Sequence, residues 1–166
     1  MNKKLIIRIS IFYLITVLIG TLSHFAYSTF KFNNGLKVIF PINESTFEHL
    51  KLFFYPFIFT SLIEGFIYKE DLKSFIAKRG FIISFIMFFE IFYISIMTHL
   101  FGINTFINVS SYYILILISY LISLKLDQNN KVITVGGFIN LAVWIFIFIY
   151  FTYNPLDSLI FIDPSK

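Results

Sequence analysis

Cysteine is absent from this chain, and charged residues are scarce. Without a thiol the chain has no disulfide framework, no thiolate metal site and no cysteine nucleophile. Only 13% of the residues are charged, against about 25% in an average soluble domain. Two of the 13 basic residues are arginine, so the arginine-rich patches of a nucleic-acid-binding protein are missing as well. These shortages exclude a secreted disulfide scaffold, a disordered tail and a nucleic-acid partner.

Apolar residues make up most of the chain instead. Hydrophobic residues account for 58% of it and aromatic residues for 21%, and 24 of the 166 residues are phenylalanine. A soluble domain of ~150 residues leaves roughly a third of its unfolded-chain surface exposed, so it cannot hide that many phenylalanines. The composition therefore excludes a soluble globular enzyme and predicts an integral membrane protein whose single polytopic domain covers residues 1–166.

Five apolar runs predict five transmembrane helices, at about residues 5–27, 47–68, 81–101, 106–124 and 133–151. Runs of roughly 19–23 residues, at ~1.5 Å per residue, cross about 30 Å of hydrocarbon. Open strands would leave backbone groups unpaired in lipid. The first run has the basic start of a signal peptide but is longer than a usual signal core, so we interpret it as a retained helix. The predicted fold is an all-α bundle embedded in the lipid bilayer.

The distribution of lysine and arginine predicts the orientation of the bundle across the membrane. If the N-terminus is cytoplasmic, nine of the 13 basic residues lie inside and four lie outside. The positive-inside rule therefore favours an N-terminus inside and a C-terminus outside, in the cytoplasmic membrane. Residues 69–80 would form a basic cytoplasmic connection, either irregular or folded as a short amphipathic helix. In the long outer connection, residues 36–42 are too short to span and are expected to lie in the interface or to be re-entrant.

The densest polar cluster immediately precedes and enters the second predicted helix. It consists of Asn43, Glu44, Ser45, Glu48, His49 and Lys51. Ser45 and Glu48 match the S-x-x-E capping box, in which Ser45 caps the helix and Glu48 bonds back to the Ser45 N–H. A cap does not require Glu44, His49 or Lys51. Several polar groups that converge at the end of a membrane helix indicate a binding site.

All three histidines, His24, His49 and His99, are predicted at the outer level of the membrane. Imidazole and carboxylate groups together bind zinc or another divalent metal, or carry out acid–base chemistry. His24, Glu48 and His49 are the candidate metal ligands, and Glu48 is also the candidate catalytic base. No HExxH spacing is present. The alternative is that each histidine is an ordinary interfacial hydrogen-bonding residue.

Two carboxyl groups lie inside predicted membrane helices. Glu64 is roughly 18 Å below the outer edge of the second helix, and Glu90 is roughly 13–14 Å above the inner edge of the third, from ~1.5 Å per residue. Both are then expected at a similar depth, where they could share a proton, bind a cation, or pair with arginine or tyrosine. The alternative is that both are protonated and hydrogen-bonded to tyrosine or serine within the bundle.

The run N-E-S-T-F-E-H-L-K at residues 43–51 resembles the N-E-S-x-x-E-H-x-K signature of a family of small multi-pass bacterial membrane proteins of unknown function. His24 within L-S-H-F-A-Y and the Asp163-Pro164 pair are similar to that family's pattern as well, and Phe47 stands where the family often has tryptophan. The resemblance implies the multi-pass topology and no activity. It directs attention to His24, Glu44, Glu48 and His49.

Three functions remain open from the sequence. The first is binding of an ion, a small molecule or a membrane-protein partner at the extracytoplasmic polar site. The second is a membrane-embedded, metal-assisted hydrolase of a lipid or peptide, with Glu48 as the base and the histidines as ligands of a divalent metal. The third is a structural or immunity-type subunit whose motif only stabilises the fold. The sequence does not decide whether the chain is an enzyme.

Overall fold

A computed structural model describes residues 3–30, 34–102, 104–127 and 130–164. Over these ranges the chain forms five α-helices: α1 (Lys3–Phe30), α2 (Thr46–Ile67), α3 (Leu72–Phe101), α4 (Thr105–Ser123) and α5 (Lys131–Tyr153). Each of them is long and apolar enough to cross a membrane. The prediction of an all-helical protein with five membrane-length helices is therefore confirmed.

The surface of the bundle is that of a protein surrounded by lipid. Phe106, Phe66 and Phe92 are 80%, 72% and 70% exposed, and many leucine and isoleucine side chains lie beside them. Soluble monomers rarely expose contiguous apolar patches of more than a few hundred Å². The exposed phenylalanines that a soluble fold could not hide are thus on the faces that would meet hydrocarbon.

Helix α3 begins nine residues earlier than the sequence predicts, so the predicted basic connection 69–80 is wrong over most of its length. Asp71 precedes the helix and accepts a 2.6 Å hydrogen bond from the Ser74 hydroxyl, which lowers the pKa of the Asp71 carboxyl. Lys78 and Arg79 then lie in the helix and are buried. The prediction failed because the charge of Arg79 is neutralised by Glu64 of α2, at 2.7 Å, and not by water.

The Arg79 contact belongs to a group that we call the arginine network, formed by Arg8, Glu64, Glu70 and Arg79. Arg8 of α1 donates to Glu64 and to Glu70, both at 2.7 Å. Glu64 therefore receives two guanidinium groups from two different helices. Buried charges are retained when they are paired and hydrogen-bonded, and here the pairing ties α1, α2 and α3 together at one end of the bundle.

Hydroxyl groups and close backbone approach join the helices along their length. Thr16 of α1 lies 2.6 Å from Thr60 of α2 and 2.7 Å from the Tyr120 hydroxyl of α4, as is common between membrane helices. At Gly137 of α5 a Cβ atom would lie 1.8 Å from the Ala77 carbonyl oxygen of α3. The α5 backbone therefore packs directly on the α3 backbone at this position.

The end of the bundle opposite the arginine network carries the connections between α1 and α2 and after α5. Residues 36–42 contribute to a short 3₁₀ helix (Asn34–Val38) and the loop after it, and do not form a sixth membrane-length helix. A second 3₁₀ helix (Leu159–Phe161) follows α5. Its Phe161 stacks on Phe47 of α2, with ring centroids 4.6 Å apart. The tail is thereby fixed beside the N-terminus of α2.

Candidate functional site

Two histidines and one glutamate come together at this end of the bundle. His24 lies near the end of α1, Glu44 in the loop before α2, and His49 in the first turn of α2. The Nε2 atom of His24 lies 3.7 Å from one Glu44 oxygen, and the Nε2 atom of His49 lies 3.4 Å from the other. The two imidazole rings are 5.2 Å apart. We call these three residues the histidine cluster.

The start of α2 is built by local hydrogen bonds that orient the cluster. The Asn43 side-chain oxygen accepts from the Ser45 N–H at 2.9 Å, and the Ser45 hydroxyl accepts from the Glu48 N–H at 3.3 Å. Ser45 is therefore the N-cap, as predicted. The reciprocal half of the capping box is absent, because Asn43 and not Glu48 satisfies the Ser45 N–H. Glu44 is left outside the helix with its carboxylate toward both imidazoles.

Glu48 does not join the histidines, in contrast to its predicted role as metal ligand and base. Its carboxylate accepts from the Ile42 N–H at 2.9 Å and from the Lys51 ammonium group at 2.6 Å. Lys51 is fully buried and also donates to the Lys37 carbonyl at 2.7 Å. The buried Glu48–Lys51 pair therefore fastens the α1–α2 connection onto α2. Glu44 occupies the place in the cluster that the sequence prediction gave to Glu48.

His99 also lies apart from the cluster. It is exposed in the last turn of α3. Among the residues that the structure describes, the group with metal-ligand spacing is His24, Glu44 and His49, whose ligand atoms all lie within 4.8 Å of one another. Two of the three histidines thus converge, and the third shares their end of the bundle without contributing to the group.

A cavity of about 560 Å³ opens beside the histidine cluster, between α1, α2, α3 and α4. Its wall is mostly apolar and includes Leu50, Ile94 and Val109, with all three members of the cluster at one side. Glu90 of α3 also lines it. The Glu90 carboxyl is buried and accepts a 2.8 Å hydrogen bond from the Ser111 hydroxyl of α4. The lining of the cavity therefore includes two carboxyl groups, Glu44 in the cluster and Glu90.

The two intramembrane carboxyls that the sequence places at a similar depth are in separate environments. Glu64 lies in the arginine network, while Glu90 lines the cavity and is bonded to Ser111. Of the alternatives raised from the sequence, pairing with arginine describes Glu64, and hydrogen bonding to serine describes Glu90. Depth estimated along a helix axis places a residue at a level but does not say which neighbouring helix it faces.

A family model matches residues 1–165, which is nearly the whole chain. The chain belongs to the family of unknown function DUF6512. No curated protein and no solved structure matches it. Membership confirms the expectation of a family without an assigned function, and it assigns no activity to the cluster or the cavity. The function of this DUF6512 chain has to be argued from the geometry of its site.

The donor set of this DUF6512 member fits a divalent transition metal. In tetrahedral zinc sites the nitrogen and oxygen ligands, at about 2.0–2.2 Å from the metal, lie about 3.3–3.6 Å from each other. The two Nε2–carboxylate separations of 3.4 and 3.7 Å run to different oxygens of Glu44. With one ligand atom from each residue the set lies within 4.8 Å, so the three side chains have to draw closer to enclose an ion. Two imidazoles and one carboxylate also leave a fourth position free. Three ligands with an open position are typical of metal sites that bind or transform a further molecule.

Several residues that line the site of the DUF6512 chain were not predicted from the sequence. The aromatic wall of the cavity, formed by Phe53, Tyr112 and Tyr113, carries no signal in a chain so rich in aromatic residues.

The exclusion of Glu48 from the histidine cluster did have a signal in the sequence. Lys51 follows it by three residues, on the same helix face, where an ion pair is expected. That spacing indicates that Glu48 is already occupied and that Glu44 is the free carboxylate.

Proposed function

We propose that this chain is a multi-pass protein of the cytoplasmic membrane that binds a divalent transition metal, zinc above all, through His24, Glu44 and His49. The observation that carries the proposal is the convergence of two imidazole Nε2 atoms on the two oxygens of one carboxylate. These atoms come from α1, from α2 and from the loop between them. Three donors from separate segments meet at one point without any regular sequence spacing.

The charges of the cluster also suit a metal. With both imidazoles protonated, two positive charges whose rings are 5.2 Å apart would face Glu44, with Asp163 as a further negative charge acting on His49. With one imidazole protonated, Glu44 would pair with that cation and the second imidazole would stay neutral. A divalent cation bonds neutral imidazole and carboxylate at the same time.

The open coordination position supports a binding site for a small molecule. The histidine cluster lines the cavity of about 560 Å³, within the range of about 300–1,000 Å³ typical of small-molecule sites. A metal held by the cluster would present its fourth position to whatever enters there. The same arrangement favours the metal-assisted hydrolase as a second candidate function, with a metal-bound water as the nucleophile. Glu48 is excluded from that chemistry by its bond to Lys51.

The proposed orientation follows from the basic residues, nine of 13 of which lie on the N-terminal side of the bundle. In that orientation the arginine network is near the cytoplasm, and the histidine cluster faces the extracytoplasmic side. The side chains of His24, Glu44 and His49 are 25%, 48% and 32% exposed. A metal ion could therefore reach the cluster from the aqueous phase without crossing the bundle.

The test is elemental analysis of the detergent-purified chain after zinc loading and removal of excess metal. We expect close to one zinc per chain in the wild type, and loss of most of it in His49→Ala and in Glu44→Gln. His99→Ala is the matched control, because it removes an imidazole at the same end of the bundle but outside the cluster. Equal zinc in wild type and His49→Ala, or none in the wild type, would overturn the proposal and leave the motif a structural role.

A further inference from the structure

Glu90 differs from the other buried carboxyls of the described chain in lacking a cation. Glu48 pairs with Lys51, and Glu64 pairs with Arg8 and Arg79. Glu90 is just as buried, at 5% exposed, yet no described lysine, arginine or histidine lies within ion-pair distance of it. Its Oε2 atom is buried without a hydrogen-bond partner in the described residues. A carboxyl group in such a place is costly inside a membrane unless a partner is supplied from elsewhere.

Its one hydrogen bond leaves the carboxyl free to accept more. Ser111 donates to Oε1 at 2.8 Å, but the same hydroxyl also lies 2.8 Å from the Asn108 carbonyl oxygen. A serine hydroxyl has one proton, so these two acceptors compete for it. Since Glu90 lines the cavity, a cation that enters the cavity can reach this carboxyl group.

Part of the wall of the cavity is aromatic. The Tyr112 ring packs edge-on against Phe53, with centroids 5.0 Å apart, and against Tyr113, with centroids 5.3 Å apart. All three rings line the same cavity as Glu90. Aromatic rings attract organic cations through the negative potential of their faces, and the attraction grows when the cation is removed from water. One carboxylate and several aromatic rings form the usual receptor for an organic ammonium group.

We propose that this cavity binds a lipophilic organic ammonium compound, with its positive nitrogen at Glu90 and its apolar part against the aromatic wall. Leu50, Ile94 and Val109 also line the cavity and suit an alkyl or aryl group. The inference goes beyond the metal site and does not depend on it. It assigns a class of ligand to the part of the cavity at Glu90, apart from the histidine cluster.

The test uses benzyltrimethylammonium as the probe and the metal-free chain in a non-ionic detergent. Equilibrium dialysis should show saturable binding to the wild type and at least tenfold weaker binding to Glu90→Gln, which keeps the shape of the side chain and removes its charge. Neopentylbenzene, the uncharged compound of the same shape, should bind at least tenfold more weakly than the cation. Asp157→Asn, at an exposed carboxyl outside the cavity, should bind the cation as the wild type does. Because the chain is free of metal in this assay, a failure here is distinguishable from a failure of the metal site.

A second variant covers the case in which Glu90→Gln does not fold. Val109→Trp adds a large side chain at a position that lines the cavity on the exposed side of α4. We expect it to occupy cavity volume and so to weaken the binding of the cation by at least tenfold. The inference is overturned if the wild type shows no saturable binding. It is equally overturned if Glu90→Gln binds the probe as tightly as the wild type, or if the neutral compound binds as well as the cation; Glu90 would then be a structural carboxyl.

Discussion

Lys51 determines which of two nearby carboxylates, Glu44 before α2 or Glu48 within it, is available to the histidines. Its ammonium group is fully buried and is shared between Glu48 and the Lys37 carbonyl. A buried ammonium without a carboxylate is strongly disfavoured, so Glu48 is held to Lys51 and is withdrawn from the histidines. Glu44 has no such partner and is available to both imidazoles.

This assignment predicts a non-additive effect of two substitutions. Lys51→Met leaves the buried Glu48 carboxylate without its cation, and breaking a buried pair from one side costs about 3–5 kcal/mol. Adding Glu48→Gln removes the unpaired charge and keeps an acceptor for the Ile42 N–H. We therefore expect the double variant to unfold at a higher temperature than Lys51→Met alone, in detergent, by intrinsic fluorescence. A double variant less stable than the single one would contradict a buried ion pair.

At the same scale, the sequence could identify the region of the site but not its members. The polar cluster at residues 43–51 and His24 were both found, because polar groups stand out in an apolar chain. Which carboxylate faces the imidazoles depends on a loop conformation fixed by Asn43 and Ser45. Glu90 was noted only for its depth, since its neighbour Ser111 lies on another helix.

At the scale of the helices, the backbones of α3 and α5 are in direct contact at Gly137. A Cβ at Gly137 would lie 1.8 Å from the Ala77 carbonyl oxygen, whereas a Cβ at the adjacent Gly136 would lie 3.5 Å from the nearest atoms, in the Phe81 ring. Glycine permits close helix approach in membranes. Two neighbouring glycines thus have different roles, one at the contact and one beside it.

Gly136 and Gly137 allow a prediction from two matched alanine substitutions. Gly137→Ala forces the two backbones apart, and overpacking of this kind costs about 1–3 kcal/mol. Gly136→Ala meets an ordinary van der Waals distance and gains helix propensity, worth about 0.8–1.0 kcal/mol relative to glycine. Thermal unfolding should therefore show Gly137→Ala destabilised and Gly136→Ala unchanged or slightly stabilised. Equal unfolding temperatures for the two variants would show that α3 and α5 are not in backbone contact at Gly137.

Helix number was predictable because span length is fixed by the thickness of the bilayer. The start of α3 was not predictable, because Lys78 and Arg79 are charged, as loop residues often are, and yet both are buried. Only the packing of α2 against α3, which brings Glu64 to Arg79 at 2.7 Å, makes a helix there acceptable. Charges that are paired across helices cannot be recognised from one segment of sequence.

At the scale of the whole molecule, the two ends of the bundle differ in charge and in access. The arginine network closes one end with buried and partly buried ion pairs, and the histidine cluster lies partly exposed at the other. The cavity extends from the cluster to Glu90 and is assembled from four helices. No single segment of the sequence encodes this cavity, so it could not be predicted without the fold.

The orientation of the whole molecule is tested by accessibility. The chain has no cysteine, so single cysteines can be introduced at Lys73, near the start of α3, and at Asp157, after α5; both side chains are exposed. In intact cells a membrane-impermeant maleimide should label Asp157→Cys and not Lys73→Cys, and both should react after the membrane is opened. The reverse pattern would place the histidine cluster on the cytoplasmic side.

The most direct test of the metal site is X-ray absorption at the zinc edge of the loaded, detergent-purified chain. We predict a first shell of nitrogen and oxygen at about 2.0–2.1 Å, with the outer-shell scattering of two imidazole rings. His49→Ala should show one imidazole or no stable zinc, and His99→Ala should match the wild type. A wild-type spectrum without imidazole scattering, or one that does not change in His49→Ala, would contradict a metal bound by His24, Glu44 and His49.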